Sequence, residues 1–449
     1  MAASIYPDYP PDLTSEQSAY LLSNVKDWSI LNGLAVRPSL SFVSKEVDPS
    51  RSLAVTAPVT LFPSLFPRRC FEEARAIQTA YNELYALIAR DEEWLREIVE
   101  DHLLSISAYP STVPTLITKS SLPSNPSIAS ISQGLASAHT AYAPSKSHPP
   151  LPLCIVFVVQ DPENNAFDQH ALASTLLADH NILTFRLPFS ATLAHTSIPL
   201  DNPSRPLIYK PSHSPSTAYE VTTLYFRAGY APTEYNSSES WNARLHLERS
   251  AAIKCPSILT HLAGSKKVQQ ILATPSSPHL ERFLSSTSSA EYINRVRATF
   301  AAIYPLDDTA AGKHAIGIAT DAGKASGYVL KPQREGGGNN IYGLKIPLFI
   351  KSLGEDSRKY RGHILMELIE PPALRNSVFR NGGVTSGEVI GELGVYGVCL
   401  WHYGEEAAGP KILENWEAGY LLRTKGRESE EGGVAAGFGA VDSVCLIGV

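Results

Sequence analysis

Residues Tyr328–Gly343 read YVLKPQREGGGNNIYG, and the rest of the chain is organised around them. The apolar run Tyr328, Val329, Leu330 has the composition of a buried strand and delivers Lys331 at its end. Pro332, Gln333, Arg334 and Glu335 follow, then Gly336, Gly337 and Gly338, then Asn339 and Asn340, with Tyr342 near the close. Glycine lacks a Cβ, so three in succession form a loop whose backbone N–H groups can approach an anion closely. A lysine ahead of that loop and a carboxylate beside it match a nucleoside triphosphate and its metal: a cation for phosphate and a hard oxygen for Mg2+. A bare Gly-Gly-Gly is usually an exposed turn, but Lys, Arg, Glu and two Asn grouped around this one favour a phosphate loop. The stretch is neither a Walker loop, since GxxxxGK[ST] is absent from it, nor GxGxxG.

KPQREGGGNN, together with LLRTK (Leu421–Lys425) and GGVAAG (Gly432–Gly437), resembles the eukaryotic glutathione synthetases, in a fungal form. The likeness covers most of the chain and includes VTAPVTLFPSLFP (Val55–Pro67). It implies an α/β fold: an ATP-grasp catalytic unit with a glycine-rich lid loop, plus an inserted α/β substrate-binding domain. It also implies a homodimeric, Mg2+-dependent ligase that joins γ-glutamylcysteine to glycine using ATP.

With 449 residues, the chain is long enough for two or three domains. Its hydrophobic fraction of 43% and charged fraction of 18% are those of a globular protein. A net charge of −6 argues against nucleic acid or an anionic membrane as partner. The start, MAASIYPDYPPDL, has no basic region followed by an apolar core, and no apolar run is long enough to span a bilayer. Five scattered cysteines without C-x-x-C read as reduced thiols, and the expected compartment is the cytoplasm.

Read in order, Thr14 or Ser15 can cap a helix through Tyr20, Val25, Trp28 and Leu31, closed by Asn32–Gly33. A second helix starts near Phe71 and continues through Ile77, Tyr81, Leu84 and Ile88, with a charged helical segment around Asp91–Glu100. Residues 105–151 turn to Ser, Pro, Ala and Thr and read as a connection, interrupted by a helix around Ser130–Tyr142. A βαβ signal follows: strand Leu153–Val159, a helix capped by Asp168, and strand Ile182–Leu187. Its loop, QDPENNAFDQ, leaves the carboxyl end of a strand, where ligands of open α/β sheets bind. Strand Val221–Arg227 ends likewise in RAGY, and Arg227 there is either a carboxylate clamp or half of a surface salt bridge. Ile346–Leu353 reads as a helix and His363–Ile369 as a buried strand. Val389–Leu400 places Glu392 in an otherwise apolar, glycine-broken strand, so a buried carboxylate with a specific partner is expected. The domains so delimited are 1–104, 105–151, 152–260 and 261–449.

Residue by residue, the resemblance implies donor-binding roles for Glu163, Asn164, Asn165, Gln169, Arg227, Ala228, Gly229 and Tyr230, with Ala228 standing where an acidic residue is usual. It implies ATP contacts for Lys266, Lys331, the loop residues 332–340, Tyr342, the hinge Met366, Glu367, Leu368 and Ile369, and for Glu392, Lys425 and Glu431. Glu335 is the implied metal ligand. Arg423, Lys331 and Lys425 are the implied catalytic cations, with Arg423, Val434 and Ala435 against the substrate or product. From composition alone, Lys266 and Lys267 are a solvated helix face and Met366–Ile369 is core.

One block is missing. The FRSDY-like arginine motif and the E-[FI]-N-T-I-S motif, which in this family bind substrate and Mg2+, are not found; Glu100 runs almost directly into HLLSISAYP (His102–Pro110). Loss of a metal carboxylate and a substrate arginine costs orders of magnitude in rate. Three readings therefore stand open: the ligase, a non-catalytic ATP-binding relative, and an ATP-grasp ligase with another acceptor amine.

Overall fold

The computed structural model describes residues 9–11, 13–38, 42–95, 122–284, 290–332, 340–354, 357–372, 374–380, 382–402, 411–427, 429, 434 and 439–447. Residues 333–339 of the glycine-rich loop, Glu431, Ala435 and the whole 96–121 stretch lie outside them.

Helix α1 (Ser15–Leu31) begins at Thr14, as expected: Thr14 Oγ1 accepts from Gln17 N–H, and the Gln17 side chain accepts from Thr14 N–H. The strand pair β1 (Ala35–Val36) and β2 (Val55–Thr56) is antiparallel, and the short strands β3 (Val59–Thr60) and β4 (Ser64–Pro67) follow. The helix expected from Phe71 through Ile88 is two helices, α2 (Arg68–Ala76) and α3 (Gln78–Arg90), separated at Ile77. Helix α4 (Ser127–Tyr142) starts three residues earlier than its apolar residues suggested.

The βαβ signal becomes a six-stranded sheet. Strand β5 (Leu153–Val159) lies between β6 (Thr184–Pro188) and β9 (Tyr219–Phe226), parallel to both, and the short strands β7 (Thr196–Ser197) and β8 (Leu207–Tyr209) extend the β9 side. Strand β10 (Ile253–Cys255) also pairs with β9. Strand side chains alternate between faces. Ile155, Phe157 and Val159 pack with Leu135 of α4 and with Leu172 and Leu176 of α5 (Ala166–His180). Cys154, Val156 and Val158 pack on the other face with Ala243 and Leu247 of α6 (Ser238–Arg249). Asp168 does not cap α5: it sits in the first turn, and its carboxylate is held by Arg227 instead.

A second sheet, antiparallel, runs in the order β11 (Ile303–Pro305), β14 (His363–Glu367), β12 (Tyr328–Pro332), β13 (Ile341–Tyr342). Leu330 and Leu365 pack beneath it against Ala315, Ile346 and Ile350. The third body is a closed barrel of β15 (Leu374–Arg380), β16 (Gly383–His402), β17 (Lys411–Gly426), β18 (Ala440–Asp442) and β3. Strand β19 (Val444–Ile447) pairs in parallel with β4, which ties the end of the described chain to residues 64–67.

Candidate functional site

Lys331 comes off the central part of the second sheet, as its apolar run predicted. In register it faces Ile364, and its Nζ lies 3.2 Å from Met366 Sδ. Asn340 Nδ2 donates to Tyr342 Oη at 3.3 Å on the neighbouring strand. In the hinge, Glu367 N–H donates to Ala302 O and Leu368 N–H to Gly327 O, both at 2.9 Å, so these two amides are already engaged within the fold. Ile369 beyond them is exposed. Lys266 begins the helix Lys266–Ala273, capped by Ser265. Thr274 at its end donates to Ile303 O at 2.9 Å, which ties this helix to the edge strand β11.

The long β16–β17 hairpin carries the second group. Arg423 stands opposite Glu392 in register. Arg423 Nη2 lies 3.3 Å from Glu392 Oε2, and Lys425 Nζ lies 3.0 Å from Glu392 Oε1. Glu392 is half-buried rather than buried, so its partnership rests less on desolvation than the apolar sequence implied. Thr424, between the two cations, faces the other way and donates to Asp442 Oδ2 at 2.5 Å. Asp442 also accepts from Thr60 Oγ1 at 2.8 Å and Ser64 Oγ at 2.5 Å. Burial raises its carboxyl above the usual range, while these hydrogen bonds pull it down.

The third group lies at the carboxyl end of β5 and β9. Glu163 is buried, and its carboxylate accepts from Asn165 N–H and Gln169 Nε2, both at 2.8 Å. Arg186 Nε donates to Gln169 Oε1 at 2.9 Å. Arg227 Nη2 meets Asp168 Oδ2 at 2.6 Å. Both alternatives for Arg227 meet here: it has a salt bridge, but a buried one at a cavity wall. Burial pushes the Asp168 carboxyl up to about 7 and the Arg227 guanidinium down to about 9. Gly229, at φ +74°, and Tyr230 and Ala231 direct their N–H groups at the Glu234 carboxylate. The Tyr230 hydroxyl accepts from Gln160 Nε2 at 2.9 Å. Ala228 is fully buried, packed in the apolar cluster with Phe189, Phe226 and Ala243.

A cavity of about 920 Å3 lies between the carboxyl end of β9 and the β16 strand of the hairpin, lined among others by Asp168, Arg227, Tyr230, Gly134, Tyr396 and Trp401. Tyr396, on β16, stands within the electrostatic reach of Arg423, Arg227 and Asp168, and burial raises its phenol well above the usual range. The carboxyl end of β9, at Arg227–Tyr230, and β16, at Tyr396–Trp401, therefore line one space. Sequence reading missed Tyr396, Arg186 and the Arg227–Asp168 pairing. The FDQ stretch held a signal for Asp168, whereas nothing local marked Tyr396. Val434 packs at the margin of the cluster around Val59, Phe379 and Val441. Among the described residues no group of three His, Cys, Asp or Glu can hold a metal ion, and no helix is long and apolar enough to cross a membrane. All five cysteines are free; Cys154 and Cys445 are buried, whereas Cys70 and Cys255 are exposed.

A sequence model of the eukaryotic glutathione synthase ATP-binding domain matches residues 15–109 and 100–446. The chain belongs to the eukaryotic glutathione synthase family. Among its relatives, the glutathione synthetase large chain of Schizosaccharomyces pombe is 32% identical, with 96% of this chain and 98% of that one aligned. Human glutathione synthetase is also 32% identical, over 95% of this chain and 97% of its own length. A solved glutathione synthetase-like effector of Globodera pallida superposes with a TM-score of 0.67, at 17% identity, over 97% of this chain and 98% of that one, and shares the fold. The two matched stretches overlap at residues 100–109. The S. pombe alignment extends over 522 positions, more than the 449 residues of this chain, so several tens of them face gaps here.

Proposed function

We propose that this glutathione synthase family member joins the cysteinyl carboxylate of γ-glutamylcysteine to the amine of glycine, with ATP converted to ADP and phosphate. The observation that carries the reading is family membership over nearly the whole chain, with Arg227 and Tyr396 lining one cavity beside the hairpin. In this reading residues 152–260 hold the donor and 261–449 hold the nucleotide and lid, with 1–104 and the connection 105–151 completing the catalytic unit.

A carboxylate does not condense with an amine in water, because its oxygen is a poor leaving group. One carboxylate oxygen takes the γ-phosphoryl group and ADP leaves; the neutral glycine amine then attacks the acyl carbon. The C–N bond forms, the C–O bond to phosphate breaks, and the amine's proton passes to solvent. Glu163, Asn164, Asn165, Gln169, Gly229 and Tyr230 would orient the γ-glutamyl part, and Arg227 would hold its carboxylate. Lys266, Lys331 and Lys425 would neutralise phosphate charge, and Arg423 the oxygens of the tetrahedral intermediate. Glu392 keeps the Arg423 and Lys425 heads on one face until substrate arrives. Mg2+ would accompany ATP and help neutralise its phosphates, with Glu335 as the candidate donor.

A cytoplasmic homodimer belongs to the same reading. The dimer is supported by exposed apolar side chains at the amino-terminal part, Tyr20, Ile30, Leu31, Phe42 and Val47. The deciding experiment measures phosphate release from Mg2+-ATP and γ-glutamylcysteine with and without glycine, with mass analysis of the product. Glycine-dependent release with the tripeptide mass supports the proposal. No turnover with ATP binding intact overturns it, and turnover with another amine corrects the acceptor.

A further inference from the structure

The loop Glu163–Asn165 is braced from outside its own domain. Arg51 Nη2 donates to Asn164 Oδ1 at 2.5 Å across 113 residues of sequence, and Arg37 N–H donates to Asn164 O at 3.3 Å. Both sides of Asn164 are thus held by the segment between β1 and β2. That segment is itself built for the purpose. The buried Asp48 carboxylate accepts from Ser52 N–H and Leu53 N–H, each at 2.9 Å, and from the hydroxyls of Ser50 and Ser52. Arg51 N–H closes the turn onto Asp48 O at 3.2 Å. The result is a left-handed backbone at Arg51, with φ +54°, a conformation unfavourable for a side chain of this size. A glycine would adopt it without strain, yet the position carries an arginine whose guanidinium reaches Asn164.

We propose that Arg51 is a positioning residue for donor binding: it fixes Asn164, and through it the Glu163–Asn165 loop, in the conformation that receives γ-glutamylcysteine. The inference rests on the donor-binding reading of this loop given above. Arg51 does not touch the reacting atoms, so its effect falls on donor affinity and not on phosphoryl transfer.

The test uses the full chain and the variant Arg51→Gly, which suits the left-handed turn and removes the side chain with its guanidinium. The donor KM rises about tenfold, while kcat and the KM values for ATP and glycine stay within about twofold. The thermal midpoint stays at the wild-type value, and Arg51→Lys recovers part of the donor KM. Hydrogen exchange gives a second readout independent of turnover: the amides of residues 163–169 exchange faster in Arg51→Gly than in wild type. An unchanged donor KM with unchanged exchange overturns the proposal. A fall in all kinetic constants together with the midpoint assigns Arg51 a purely structural role and overturns it as well. If wild type itself makes no tripeptide, the functional reading has failed; unchanged exchange in the variant then separately removes the role of Arg51.

Discussion

Arg227 and Asp168 form a charge pair that neither residue would hold alone at its depth. A buried ion pair seldom stabilises a fold relative to apolar residues, but removing one member leaves the other's charge without compensation. Arg227→Met is expected to lower stability by about 3–5 kcal/mol and to abolish donor binding. The double variant Arg227→Met, Asp168→Leu recovers most of the stability but none of the donor binding, as urea unfolding and donor titration would read. Recovery of both would mean that the pair is structural only. His261 makes a second prediction at this scale. Burial, aided by Arg244, lowers its imidazole to about 4, against an ordinary value near 6.5. Between those two pH values the unfolded chain binds a proton that the native chain refuses, so the contribution is intact above about pH 6.5 and is lost on acidification through the window. The His261→Leu variant should therefore show a shallower acid-side fall of stability, by up to about 1.4 kcal/mol per pH unit. Equal slopes in variant and wild type would exclude it.

At the scale of elements, the alternation of β17 sorts LLRTK into two jobs. Arg423 and Lys425 face Glu392, while Thr424 faces the buried Asp442. Lys425→Met should reduce kcat/KM for ATP by about a hundredfold with the midpoint unchanged. Asp442→Ala should instead destabilise by on the order of 3 kcal/mol, because it orphans the hydroxyls of Thr60, Ser64 and Thr424 together. A variant pair that did the reverse would contradict the strand geometry. Much of this was legible beforehand, because apolar period and capping chemistry are local: Thr14 closed its capping box where read, and β5, β12 and β16 formed where their apolar runs lay. The partners of Glu392 were not legible, since cross-strand register decides them. Nor were Arg227 with Asp168 or Arg51 with Asn164, contacts separated by 59 and 113 residues that no local pattern encodes. The loop residues from Gln333 to Asn339 carried the motif but lie outside the described residues.

For the whole molecule, α4 links the first sheet, which we propose holds the donor, to the hairpin. Its Leu135 and Ala136 pack under β5, while Gly134 meets Val398 of β16, where an added Cβ would stand 2.7 Å from Val398 Cγ1. Its start seats on β17 at Gly419: just before the helix Asn125 Nδ2 donates to Tyr420 O at 2.8 Å, and a Cβ on Gly419 would lie 2.2 Å from Ser127 Oγ and 2.9 Å from Ser127 Cα. Gly419 also has φ +103°, outside the range of ordinary side chains. Gly419→Ala therefore combines backbone strain with a clash against the helix backbone, and should cost on the order of 2–4 kcal/mol. Because α4 touches both bodies, the variant should raise the KM for donor and for ATP together, unlike Arg51→Gly. Gly317 provides the control: it sits inside the helix Ala310–Ala319 with open space around it, so Gly317→Ala should leave kinetics unchanged and stabilise by roughly 0.5–1 kcal/mol. Chemical unfolding and initial-rate kinetics on the two variants test the linkage. A Gly419→Ala protein as stable as wild type, or one altered for a single substrate, would show that the two halves of the site are held in register by something other than α4.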